Sequence, residues 1–205
     1  MKFKIALIMS LLFFGKVEAQ KINTNSTSFR LEVTIPTQKD SKVYLGQYWN
    51  NATYAIDSAF ISKEGKAIFS KNEPIDEGQY FIHIKPDIQV DFLIGKEQNN
   101  IKLSLDENDL SKNHVSGSKD TKLLWEYLLH LEQNRKKWDE LNTQLKDSTL
   151  AESKRKTIQK EMEGLNISTE KYIDSFIDKN KNDWAGTFIK GLNQIDLPYA
   201  QPKTQ

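Results

Sequence analysis

The side chains able to do chemistry are few and scattered. The three histidines, His83, His114 and His130, fall in no HxH, HxxxH or HExxH spacing, so they do not form the converging set that a metal ion requires. Two acidic groups stand out, Asp87 with Asp91 and Asp106-Glu107-Asn108-Asp109. The second lacks the alternating ligands and central glycine of a calcium loop, and it reads as a solvated turn. There is no cysteine, which excludes disulfides, thiol nucleophiles, CxxC redox chemistry and thiolate metal sites within the chain. GxSxG, P-loop and GxGxxG motifs are absent as well. The residues therefore point to no catalytic group, no metal and no cofactor. Aromatic side chains are the remaining candidates for contact. Tyr44, Tyr48, Trp49 and Tyr54 crowd one hairpin, where rings either pack across strands or stack on sugars beside Asn50 or Asn51. Trp184 and Phe188 lie one helical turn apart and could dock on the preceding domain or on a following one.

The elements that must position these residues follow from periodicity. From Phe29 to Leu105 apolar residues alternate in short runs, which is the pattern of half-buried strands. Phe29, Leu31, Val33 and Ile35 end at Pro36; Val43, Leu45 and Gln47 share one face, with Tyr44, Gly46 and Tyr48 on the other. Tyr54 to Ile61 and Ala67 to Phe69 are joined by Lys63-Glu64-Gly65-Lys66, a hairpin signal. Tyr80 to Ile84, Val90 to Ile94 and Ile101 to Leu105 complete seven strands, with no helix between them. That order implies an antiparallel β-sandwich or open barrel. After Gly117 the period becomes helical, with Ser118 as cap, and Leu124, Leu131, Trp138 and Leu145 recur every seventh residue. This spacing predicts Trp125 and Trp138 on a buried helix seam. A second helix is expected to start near Thr149, with Glu152 at capping-box spacing, and to bend or break near Gly164 and Asn166. A short third helix spans 183–192. The chain reads as an α+β protein: an all-β domain over 20–117, a helical region with a C-terminal hairpin over 118–195, and a linker-like tail over 196–205 that contains Leu197 and two prolines.

Residues 1–19 read as an export signal, with Lys2 and Lys4 before the apolar run Ile5 to Phe14, and Val17 and Ala19 as the small residues before cleavage at Gln20. The apolar run is short for a bilayer span, and no later segment could cross one, so a soluble, exported protein of the periplasm or cell envelope is expected. Lys+Arg 29 against Asp+Glu 28 leaves no basic excess, so no nucleic acid is expected as a partner.

In order along the chain, KVYLGQYWNNATYAIDSAFISKEGKAIFS (42–70), EGQYFIHIKPD (77–87), QVDFLIGKEQ (89–98) and VSGSKDTKLLWEYL (115–128) resemble the N-terminal region of exported, Bacteroidetes-type thioredoxin-like proteins of the thiol:disulfide oxidoreductase class. Matching elements are Asp57-Ser58, Gly65, Phe69, Gly78-Gln79-Tyr80 and Gly117-Ser118. In that family an all-β domain and a helical segment precede a redox domain carrying WCxxC. This chain ends about where that domain would begin, and it has no cysteine to which the catalytic residues carry over. The resemblance implies a non-catalytic accessory module contacting an exported protein, with a separately supplied redox domain as one candidate, through Trp184, Phe188 and Leu197. The alternative is a free-standing periplasmic or surface binder of a glycan or peptide, using the hairpin of Tyr48 and Trp49.

Overall fold

The computed structural model describes residues 28–50, 52–96 and 98–194; the segment expected to be an export signal, the expected cleavage point at Gln20, Leu197 and the tail lie outside the described residues. Eight strands form: β1 (Phe29–Thr34), β2 (Lys42–Trp49), β3 (Ala52–Phe60), β4 (Lys66–Lys71), β5 (Gly78–Ile84), β6 (Ile88–Ile94), β7 (Asn100–Ser104) and β8 (His114–Ser116). They make two sheets of four, ordered β4-β1-β7-β8 and β3-β2-β5-β6, so of the two expected architectures the sandwich is the one adopted. Alternation does what the sequence requires: Phe29, Leu31 and Val33 of one sheet and Val43, Leu45, Tyr80, Ile82 and Phe92 of the other are all buried between the layers.

Two details depart from the sequence reading. β8 is an additional strand, three residues long with a single half-buried Val115, too short to show a period. β1 pairs parallel to β7, with Leu31 opposite Ile101 and Val33 opposite Leu103, while the other pairings are antiparallel. Alternation is the same in both pairing senses, so it does not distinguish them.

Helix α1 (Lys119–Leu145) closes the open side of the sandwich between β6 and β8. Ser118 is its N-cap, accepting a hydrogen bond from Thr121 N at 3.1 Å. β6 is an edge strand, and its outward backbone groups find partners on this helix. Leu93 N donates to Thr121 Oγ1 at 3.2 Å, Thr121 Oγ1 donates to Leu93 O at 2.6 Å, and Trp125 Nε1 donates to Asp91 O at 2.9 Å.

Helix α2 (Glu152–Lys179) returns alongside α1, and α3 (Trp184–Gln194) packs on both. Asp120, buried on α1, holds the start of α3 by accepting from Ala185 N at 2.7 Å, and the Gln98 amide donates to the same carboxylate. The helix pair is bound by rings: Tyr172 of α2 stacks on His130 of α1 with centroids 3.6 Å apart, and Phe176 of α2 lies tilted against Tyr127 of α1 at 5.4 Å.

Three helix expectations need correction. Thr149 does not cap α2; its N–H and hydroxyl donate to Asp147 Oδ1 at 2.8 and 2.7 Å, and the helix starts from Ala151, which makes no side-chain cap. Arg155 ties this turn instead, donating to Leu145 O and Asp147 O. Helix α2 runs without a break through Gly164 and Asn166. Trp138, expected in the seam, is 36% exposed, whereas Leu141 and Ile158 are buried. The buried position on this part of α1 is Leu141, three residues on, while Leu145 is half-buried, so seven-residue spacing marks a stripe but not its most buried member.

Candidate functional site

The hairpin of β2 and β3 separates the two aromatic residues that are adjacent in sequence. Tyr48 lies on the outer face of its sheet, where its hydroxyl donates to Asp91 Oδ1 at 3.0 Å and accepts from the Gln89 amide at 2.7 Å. Its ring meets Phe81 edge-on at 5.1 Å, and Phe81 in turn fills the space over Gly46, where a Cβ would come within 2.0 Å of Phe81 Cζ. Gln79 donates to the second oxygen of Asp91 at 3.3 Å, which completes a network across β2, β5 and β6. These partners identify Tyr48 as a packing residue of the sheet.

The Tyr48 phenol is pushed up to about 12, first by burial and then by the Asp91 carboxylate. Burial, with the Asp76 charge, pushes the core residue Tyr80 up to about 12 as well. The folded protein therefore keeps protons that the unfolded chain releases near 10. Their contribution to stability is whole below pH 10 and is lost as pH rises toward 12. Urea midpoints measured from pH 9 upward should fall across that window, and Tyr48→Phe should flatten the fall; an unchanged slope would show that Tyr48 does not share in it.

Trp49 points the other way. It stands opposite Ala52, and Tyr54 stands opposite Gln47, so both rings occupy the face to which Gln47 belongs. That face is the inner one, because the Gln47 amide donates to the hydroxyl of buried Tyr80 at 3.1 Å. The hairpin end reaches past the opposite sheet, and burial is lost along it: Ile56 packs against the core, Tyr54 is 52% exposed and Trp49 60%. Across a two-strand ribbon the rings are diagonal neighbours, about 7–8 Å between backbone positions.

Beside them lies a recess of about 350 Å³ lined by Gln47, Ile56, Tyr80 and the connection from β4 to β5, which supplies Lys71, Glu73, Pro74, Ile75 and Asp76. The Tyr80 hydroxyl is held by donation to Asp76 O at 2.8 Å. Among the described residues Gln47 Oε1, the Lys71 ammonium and the Glu73 and Asp76 carboxylates have no side-chain partner. The sequence reading placed the rings on this hairpin and Gln47 on the face of Val43 and Leu45, as found, but it did not single out Lys71, Glu73 and Asp76. Charged residues in a connection carry no signal of which strand face they will border.

The other sequence candidates are placed differently. Trp184 and Phe188 are half-buried, 5.9 Å apart between ring centroids, and pack against the core, so they dock α3 on the body of the protein. Trp184 Nε1 is buried with no partner. Of the two acidic groups, Asp91, Asp106 and Glu107, but not Asp87 and Asp109, line a shallow groove of about 310 Å³ with Trp125, Leu110 and Leu128. Their carboxylates are engaged within the fold: Glu107 accepts from Thr37 at 2.6 Å, and Lys112 lies 3.6 Å from Asp106. The histidines stay apart, on β5, at the start of β8 and on α1. No group of three or more His, Cys, Asp or Glu among the described residues is arranged to hold a metal ion. No helix of the described residues is long and apolar enough to cross a membrane.

Residues 29–124 match the family model of a domain of unknown function, DUF4369. The match covers all eight strands and the first turns of α1, including Ser118 and Thr121, which bind the edge of β6. No curated protein matches the chain.

Proposed function

We propose that this protein is a non-catalytic module of the cell envelope that acts by binding, with the end of the β2–β3 hairpin as its contact surface. The observation that carries this reading is the exposure of Trp49 and Tyr54, 60% and 52%, on one strand face beside a polar recess. Large rings left in water at a rigid strand end bind at low entropic cost, since each has only two side-chain torsions to fix. The accessory role in contact with an exported redox partner has the sequence resemblance as its support. A contact there through Trp184 and Phe188 would have to use rings already packed on the core, so the free-standing binder is the better supported of the two.

Immobilised mature protein should retain a ligand from envelope extracts, and the double variant Trp49→Ala/Tyr54→Ala, folded by circular dichroism, should lose it. Retention by the folded double variant would remove the hairpin end from the contact surface. Loss with Phe188→Ala alone would favour the accessory role.

A further inference from the structure

The chemistry of this hairpin end narrows the ligand, and the inference rests on the contact surface proposed above. We infer that Trp49, Tyr54 and the recess behind Gln47 form a binding site for a neutral carbohydrate. A sugar ring presents a face of C–H groups and a rim of hydroxyls that both donate and accept. The site offers the complement of each. Two rings on one strand face, each more than half exposed, present apolar surface to the apolar side of a sugar.

The recess then supplies hydroxyl partners of both kinds. Gln47 Oε1, Glu73 and Asp76 accept, and Lys71 donates. Its volume of about 350 Å³ lies at the small end of the about 300–1,000 Å³ usual for small-molecule sites. One cation and two anions in the lining disfavour an anionic ligand, and the mostly polar lining disfavours a lipid-like one. A basic peptide is the competing occupant, and salt separates the two. Exposed charge pairs are screened within a Debye length of about 8 Å at physiological ionic strength, whereas a neutral sugar feels almost no screening.

The probes are cellohexaose, xylohexaose, mannohexaose and maltohexaose, each titrated singly into the full mature chain, with tryptophan fluorescence and calorimetry as readouts. At least one should bind, with an affinity that changes less than about twofold between 50 and 500 mM salt. Trp49→Ala should weaken it by about 10-fold, the size of one lost aromatic contact of about 1.4 kcal/mol. Ile68→Ala, at an exposed position on the other sheet, should leave it unchanged. Absence of binding by all four at 10 mM (on the order of the weakest useful affinity), or full binding by folded Trp49→Ala/Tyr54→Ala, would overturn the inference. If the sugars fail while that double variant still loses a retained protein ligand, the contact surface stands and the carbohydrate assignment falls.

Discussion

Trp125→Ala is expected to lower the unfolding free energy by about 4 kcal/mol, and Trp138→Ala by less than about 1 kcal/mol. Both tryptophans belong to α1, and by sequence both fall on or near its apolar seam. Trp125 is 6% exposed, closes the side of the sandwich against Leu110 and Leu128, and gives its indole N–H to Asp91 O at 2.9 Å. Truncation there removes a large buried ring, opens a cavity and leaves an edge-strand carbonyl without its partner. The last effect alone is worth about 1–3 kcal/mol. Trp138 is 36% exposed, so its loss uncovers little. Urea denaturation of the two variants checks the pair, with the slope confirming that the transition stays two-state. Similar losses for both would show that the distal helix pair is buried by something other than α2.

What the sequence disclosed depends on how each feature is encoded. Alternation over Phe29 to Ile35 was legible because one face of β1 is fully buried and the other is not. Ser118 was legible as a cap because the switch from period two to period 3.6 falls directly after it. The facing of Tyr48 followed from the same alternation, but not the separate fates of Tyr48 and Trp49. That Tyr48 meets Asp91 depends on the pairing of β2 and β6 through β5, and that Trp49 meets water depends on what the opposite sheet covers. The recess was illegible for a related reason. Gln47 comes from β2 and Lys71, Glu73 and Asp76 from the β4–β5 connection, and only the stacking of the sheets brings them together. Heptad spacing misled at Trp138 because it gives a stripe along the helix and not which member of it is covered; Leu141, three residues on, is the one buried there.

Gly117→Ala is expected to cost about 3 kcal/mol, the other large effect, and it tests the joint on which the helical region hangs. Gly117 has φ +79°, in the left-handed region where a side chain costs roughly 1–2 kcal/mol. A Cβ there would stand 1.8 Å from Asn100 O and 2.9 Å from Asn100 C. These are backbone atoms of β7, so no rotamer change relieves the clash; the strand or the joint must move. The joint is held on both sides, since β8 pairs Ser116 with Lys102 and Ser118 caps α1 while Thr121 binds Leu93. Movement therefore loosens the cover over the β6 edge, and Trp125 fluorescence should report it below the unfolding transition. Gly164→Ala is the opposite case. It lies within α2 with no atom inside 4 Å of the added carbon, so it should stabilise the protein by up to about 1 kcal/mol, through helix propensity and the narrower unfolded ensemble. Two chemically identical substitutions of opposite sign would place the strain at the joint itself. A cost below about 1 kcal/mol at Gly117 would mean that the chain passes from sheet to helix in a conformation open to any residue.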